Sequence, residues 1–177
     1  MRPTNAMILF LRISCLSLLA GVGFLGCEKA ETIEVRTIPA EPSPPESWGL
    51  DSPVGPEKAR FSINAKGGTG MAKVSLTVLQ GDGGGLLGNV NRWRGQLGLE
   101  PLDELSLGSG VQSVDSLGTE ARLVDLNGTS NRTQLDTRLV GVIVSRNELT
   151  WFYKLMGTPA VVVAEKDGFL KYLPDWR

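Results

Sequence analysis

Hydrophobic and polar positions divide the chain into three regimes. Residues Ile13 to Leu25 are apolar apart from Ser14, Cys15, Ser17, Gly21 and Gly23. From Glu28 to about Pro56 no periodicity survives, and Pro39, Pro42, Pro44, Pro45, Pro53 and Pro56 deny the backbone regular structure. Regular patterns then take over. Phe61, Ile63 and Ala65 alternate with Arg60, Ser62 and Asn64. After Gly67-Gly68-Thr69-Gly70, Val74, Leu76 and Val78 alternate with Lys73, Ser75 and Thr77. Period two on both sides of a glycine-rich turn predicts an antiparallel hairpin with one wet face.

A helical period follows Gly81-Asp82-Gly83-Gly84-Gly85. Leu86, Val90, Trp93 and Leu97 form one apolar stripe, with Asn89, Arg92 and Gln96 on another face, and Gly98 and Pro101 mark the end. Gly88 and Gly95 each cost this helix about 1 kcal/mol against alanine, which points to close backbone packing or a local function at those positions. Residues 102–118 carry a weak signal, a short helical turn around Asp103 to Leu107 and then a loop. Three strands are expected at Ala121 to Leu126, Thr137 to Ser145 and Thr150 to Met156. Arg146-Asn147-Glu148 joins the last two as a hairpin. Asn127-Gly128 has turn chemistry, but the polar run to Asp136 implies a longer connection.

Val140, Val142 and Val144 fall on one face of the middle strand, and Leu139, Gly141 and Ile143 on the other. A strand apolar on both sides belongs at the centre of a sheet covered on both faces. Thr158-Pro159 supplies an N-cap and a first-turn proline for a closing helix that carries Val162, Phe169 and Leu173 to Pro174. The order β-β-α-β-β-β-α predicts an α+β fold, an antiparallel sheet of about five or six strands packed with two main helices.

Arg2 and Arg12 flank the start of the first apolar run, giving it the shape of a secretory signal. A permanent transmembrane helix needs roughly 20 apolar residues. Reaching that length means including Arg12, at about 2.5–3.5 kcal/mol near a helix centre. Phe24-Leu25-Gly26-Cys27 at the end of the run resembles the lipobox of bacterial lipoproteins, which implies acylation of Cys27 and cleavage before it. Several acyl chains on one cysteine would hold the protein durably on a bilayer, where one chain gives marginal binding. Glu28, rather than aspartate, after the cysteine favours an outer membrane by the same resemblance. The alternative is an ordinary signal peptide with Cys27 left as a free thiol. The expected organisation is a lipoprotein signal peptide at 1–26, a Pro-rich tether at 27–57 and a globular domain at 58–177. The domain would stand on the periplasmic or extracellular side of the cell membrane or outer membrane.

Composition narrows the chemistry. The chain contains two cysteines, Cys15 and Cys27, so the expected mature domain has neither a disulfide nor a free thiol of its own. Histidine is absent, which excludes histidine-dependent triads, histidine zinc sites and haem ligation. Removing residues 1–26 takes away Arg2 and Arg12 and no acid, which moves the formal charge from −1 to −3. That balance lacks the basic excess of a general nucleic-acid binder, and no metal or other cofactor is expected.

The glycine-rich turn before the first helix invites a phosphate-loop reading. No Gly-Lys-Ser/Thr follows it and the dinucleotide fingerprint spacing is not met, so the glycines are read as supplying turn conformations. Arg92, Trp93 and Arg94 offer a second candidate, two guanidinium forks beside an aromatic. Helical spacing assigns Trp93 to the apolar stripe and sets Arg92 and Arg94 about 200° apart. In Trp151-Phe152-Tyr153-Lys154-Leu155-Met156-Gly157, alternation puts Trp151, Tyr153 and Leu155 on one face and Phe152, Lys154 and Met156 on the other. This reads first as aromatic sheet core, and otherwise as a shallow aromatic groove with Lys154 at its rim. Asp103, Glu104 and Asp125 sit in contexts that single out none of them as an acid or base.

The block from Gly81 to Leu99, with Thr150 to Gly157 and the closing helix through Phe169, resembles a family of uncharacterised exported bacterial proteins over roughly residues 60–173. More distantly, the element order is similar to the PsbP-like fold, an antiparallel sheet sandwiched by helices. The resemblance implies no enzyme activity, and PsbP-like domains often bind protein assemblies. The leading expectation is a membrane-tethered, non-enzymatic accessory lipoprotein that binds an envelope protein or component near Asn91, Arg92 and Arg94. The competing one is a small-ligand binder or an unrecognised hydrolase, with a pocket between the glycine-rich turn and the aromatic strand where Asp82, Asn89 and Lys154 converge. Trp151 completes the candidate set.

Overall fold

The structure, a computed structural model, describes residues 44–114 and 121–173, all within the unit Pro39–Arg177. Cys27, the expected signal segment, the tether before residue 44 and Pro174 lie outside the described residues. The order is β1 (Trp48–Asp51), β2 (Glu57–Asn64), β3 (Met71–Gln80), α1 (Leu86–Gln96), α2 (Glu104–Gly110), β4 (Gln112–Ser113), β5 (Ala121–Thr129), β6 (Asp136–Arg146), β7 (Leu149–Gly157) and α3 (Pro159–Tyr172). The fold is α+β. One antiparallel sheet runs β1-β2-β3-β7-β6-β5-β4. The expected count of five or six strands rises to seven because two short edge strands join it. One of these, β1, comes from the stretch read as tether, so the sheet starts ahead of residue 58.

Each strand's alternation feeds two cores. Phe61, Ile63, Val74, Leu76, Val140, Val142, Tyr153 and Leu155 pack beneath Val161, Val162 and Phe169 of α3 and the following Leu173. On the opposite face Val124, Leu126, Leu139, Ile143 and Phe152 pack beneath Val90 and Trp93 of α1 and Leu97 after it. β6 contributes to both cores, which accounts for its two apolar faces. Trp48 is buried beside Phe61 and Tyr172, and its Nε1 donates to Glu165 Oε2 of α3 at 2.9 Å. That bond and the pairing with β2 bring β1 into the fold.

Asp125 is the polar counterpart on the α3 face. Arg138 grips it with two 2.7 Å bonds and Lys166 adds a third at 2.7 Å. The Arg138 guanidinium holds its carboxyl below the usual range, with Lys166 assisting and burial opposing.

Two local expectations need correction. A Cβ at Gly88 or Gly95 would meet nothing within 4 Å, so neither glycine permits a close approach. The tight contacts lie at Gly141, where a Cβ would run into the Trp93 ring, and at Gly128, where it would run into the Leu97 carbonyl oxygen. The Thr158 side chain makes no capping bond to α3. Thr158 is still the N-cap residue and Pro159 opens the first turn, both as expected, but the Thr158 hydroxyl accepts from the Met71 N–H at 3.2 Å instead of capping the helix. The weak signal after residue 102 resolves as α2, with the Asp103 carboxylate accepting from Ser106 N at 2.8 Å.

Candidate functional site

Three rungs of the sheet on the α1 face set the site. Read from β2 to β5 they run Glu57, Thr77, Phe152, Ile143, Arg122; then Arg60, Ser75, Lys154, Gly141, Val124; then Ser62, Lys73, Met156, Leu139, Leu126, with a register shift in β2 between Glu57 and Ala59. The β5–β6 half is mainly apolar and lies under α1. The β2–β3 half is polar, the wet face that its alternation predicted. Lys154 stands at the boundary.

At this boundary lies a groove of about 540 Å³. Its floor is formed by Arg60, Ser75, Lys154 and Met156, with Gln96 at the end of α1, residues 130–133 and Leu135 of the β5–β6 connection, and Asp136 and Thr137 at the start of β6 as its wall. That wall is fixed to the helix end, where Asn131 N–H donates to the Gln96 carbonyl at 3.0 Å. The turn at residues 130–134 is closed by the Gln134 N–H donating to Ser130 O at 2.8 Å. The long connection expected before Asp136 is therefore a structured wall.

The charges in the groove are unevenly matched. Glu57 and Arg60 neutralise one another through two 2.7 Å bonds. The Arg60 guanidinium holds the Glu57 carboxyl below its usual range, with burial opposing. Lys154 has no such partner: its Nζ reaches Gln96 Oε1 at 3.5 Å, and no ion pair within 4.0 Å involves it among the described residues. Burial pushes its ammonium below the usual lysine range; Glu57 opposes that shift, while Arg92 and Arg60 add to it. A partly desolvated, weakly partnered ammonium in an open groove can hold an anion or polarise a carbonyl.

The other expected site residues are used within the fold. Asp82 accepts from Gly84 N at 2.9 Å, shaping the glycine turn. Asn89 is buried, donates to the Gly83 and Gly85 carbonyls, and accepts from Arg92 at 2.7 Å. Arg92 also lies over the Phe152 ring. Asn91 makes a reciprocal pair of bonds with the Leu102 backbone at 2.8 and 2.7 Å, clasping the chain that leaves α1. Arg94 donates to Glu100 O at 2.6 Å. Trp151 lies on the α3 face, stacked on Tyr153 and beneath Arg146. Its Nε1 is buried without a hydrogen-bond partner.

Asp82, Asn89 and Lys154 thus do not converge. Asp82 and Asn89 organise the start of α1, and Lys154 lies by its end. Of the candidate residues, the groove contains Lys154. Sequence reasoning missed Ser75, Arg60, Gln96 and the 130–137 wall. The wet face of the β2–β3 hairpin was the available signal for the first two, once it was known that α1 covers the other half.

Among the described residues no helix is long and apolar enough to cross a membrane, and no cluster of three or more His, Cys, Asp or Glu is placed to hold a metal ion. No protein-family model matches the chain, and no curated protein is found similar to it. Among solved structures, the chain is similar to that of PA94, a protein of unknown function from Pseudomonas aeruginosa. The TM-score is 0.43 at 11% identity, over 72% of this chain and 94% of that one.

Proposed function

We propose that the protein is a membrane-tethered, non-enzymatic binding lipoprotein of the cell envelope, and that its ligand is held in the groove at Lys154. The observation that carries this reading is the contrast in how polar side chains are used. Asn91, Arg92 and Arg94 each have a bonding partner inside the fold, whereas the half-buried Lys154 side chain lies in an open groove with one long hydrogen bond. A half-buried cation with a single long hydrogen bond beside a cavity offers a place for an anionic or polar ligand group. The groove thus replaces the α1 surface as the preferred binding region.

The hydrolase alternative draws less support. The Glu57 carboxylate in the groove is locked to Arg60, which disfavours the protonation changes required of a general acid or base. The PsbP-like resemblance of the sequence points toward binding and carries no specific function by itself. Acylation of Cys27 supplies the tether in this reading.

Two measurements test the proposal. Cys27→Ser should abolish acyl labelling and release the protein or leave its precursor unprocessed; persistent labelling removes the anchor. Ser75→Trp should fill the groove. An envelope extract should raise the melting temperature of the wild type and not that of Ser75→Trp, because a ligand stabilises the state that binds it. Equal stabilisation of both proteins would remove the groove from the account.

A further inference from the structure

Resting on that reading of the groove, we propose that its ligand is an organic monoanion, with a carboxylate head held by Lys154 and Ser75 and a short apolar chain directed along Met156 toward Met71 and Leu135. The charge inventory selects the head. Glu57 and Arg60 cancel as an ion pair, and Lys73, Arg132 and Asp136 stand at the exposed rim. Lys154 is left as the one positive charge on the floor without a carboxylate within ion-pair distance among the described residues. A cation would meet like charge there. A dianionic phosphate ester would bring two charges to one ammonium and find the nearest guanidinium fork already occupied by Glu57.

The sheet register supplies the second contact. Ser75 is directly opposite Lys154 on the adjacent strand, so a hydroxyl donor and an ammonium face the same space from one rung. The next rung on that face contains Met156 opposite Lys73. Two further apolar side chains of the groove lining are unusually open, Met71 at 58% and Leu135 at 66% exposure. A polar floor followed by an apolar rim fits an amphiphilic molecule, and the groove volume falls within the roughly 300–1,000 Å³ of small-ligand sites.

Titration calorimetry on the full-length protein in lipid nanodiscs, with hexanoate, hexanamide and hexyl phosphate as probes, tests the assignment. Hexanoate should bind. Hexanamide, the same size without the charge, should bind at least about tenfold more weakly, as should hexyl phosphate. Lys154→Met should cost hexanoate about tenfold or more in affinity, equivalent to about 1.4 kcal/mol, while Arg94→Ala should leave it unchanged. The hexanoate–hexanamide comparison needs no variant, so it stands whatever a substitution does to folding. Equal binding of hexanamide, tighter binding of hexyl phosphate, a silent Lys154→Met or no detectable hexanoate binding at millimolar concentration would each overturn the monoanion. The broader groove reading falls separately, if an envelope extract stabilises Ser75→Trp as much as the wild type.

Discussion

The Trp93 ring packs directly on Gly141 where α1 crosses β6, and Gly141→Ala tests that contact. Gly141 shares its rung with Lys154. An added Cβ would overlap the Trp93 ring, with Cε3 and Cη2 both at 2.7 Å and Cζ3 closer still. Carbon atoms pack at about 3.5–4.0 Å, so ring or strand must move by about 1.5 Å. Trp93 is 2% exposed and Phe152 meets it edge-on, which leaves the ring little room. Overpacking typically costs about 1–3 kcal/mol, and a rigid buried indole places this case near 3. For a domain of this size that lowers the melting temperature by about 10 °C.

Urea and thermal unfolding followed by circular dichroism measure the loss. Trp93→Leu alone should destabilise by about 2–4 kcal/mol. Combined with Gly141→Ala, it should cost at least about 1 kcal/mol less than the two single losses together, because the smaller side chain makes room for the methyl. Gly141→Ala within about 0.5 kcal/mol of wild type, or strictly additive effects, would refute the stacking of α1 on β6.

Three further outcomes follow from the same structure. Asp125→Ala strands Arg138 and Lys166 and should cost about 2 kcal/mol, reduced from a fully buried ion pair because all three side chains retain some exposure. The Asp125 carboxyl is held below its ordinary value, so its contribution is present above about pH 4 and lost as pH falls through the folded value; acid unfolding of the variant should be less steep. Glu148→Gly should stabilise by about 1 kcal/mol in chemical denaturation, since Glu148 has φ +60° in the β6–β7 hairpin, a conformation costly for a residue with a side chain. Lys154→Met should raise the melting temperature at neutral pH by removing a desolvated charge. With the lysine value depressed, the wild-type deficit is full below the folded value and shrinks as pH rises toward the ordinary 10.5.

Most of the fold was legible because the strands carry strict alternation. The double apolar pattern of Leu139 to Val144 placed β6 between two layers. Trp48, an aromatic among prolines, reads as packing onto the domain edge and does so, but its strand is not legible, since pairing with β2 and the bond to Glu165 come from partners distant in sequence. The site was less legible for a related reason. Arg92 and Arg94 look available on a helical wheel, yet Asn89 and Glu100 accept from them. Lys154 looked like a rim residue, and its isolation depends on Gln96, Ser75 and Arg60, brought beside it by the sheet register and the end of α1. A sequence shows which residues can bind; which remain available depends on contacts between elements.

Photo-crosslinking in cells tests the central claim most directly. A photoreactive amino acid replaces Lys73 at the groove rim in one protein and Arg94 on α1 in another, and mass spectrometry of the recovered protein reads any added mass. A defined adduct is expected at position 73 that disappears in the Ser75→Trp background, and none at position 94. An adduct at position 94 with none at position 73 would contradict it.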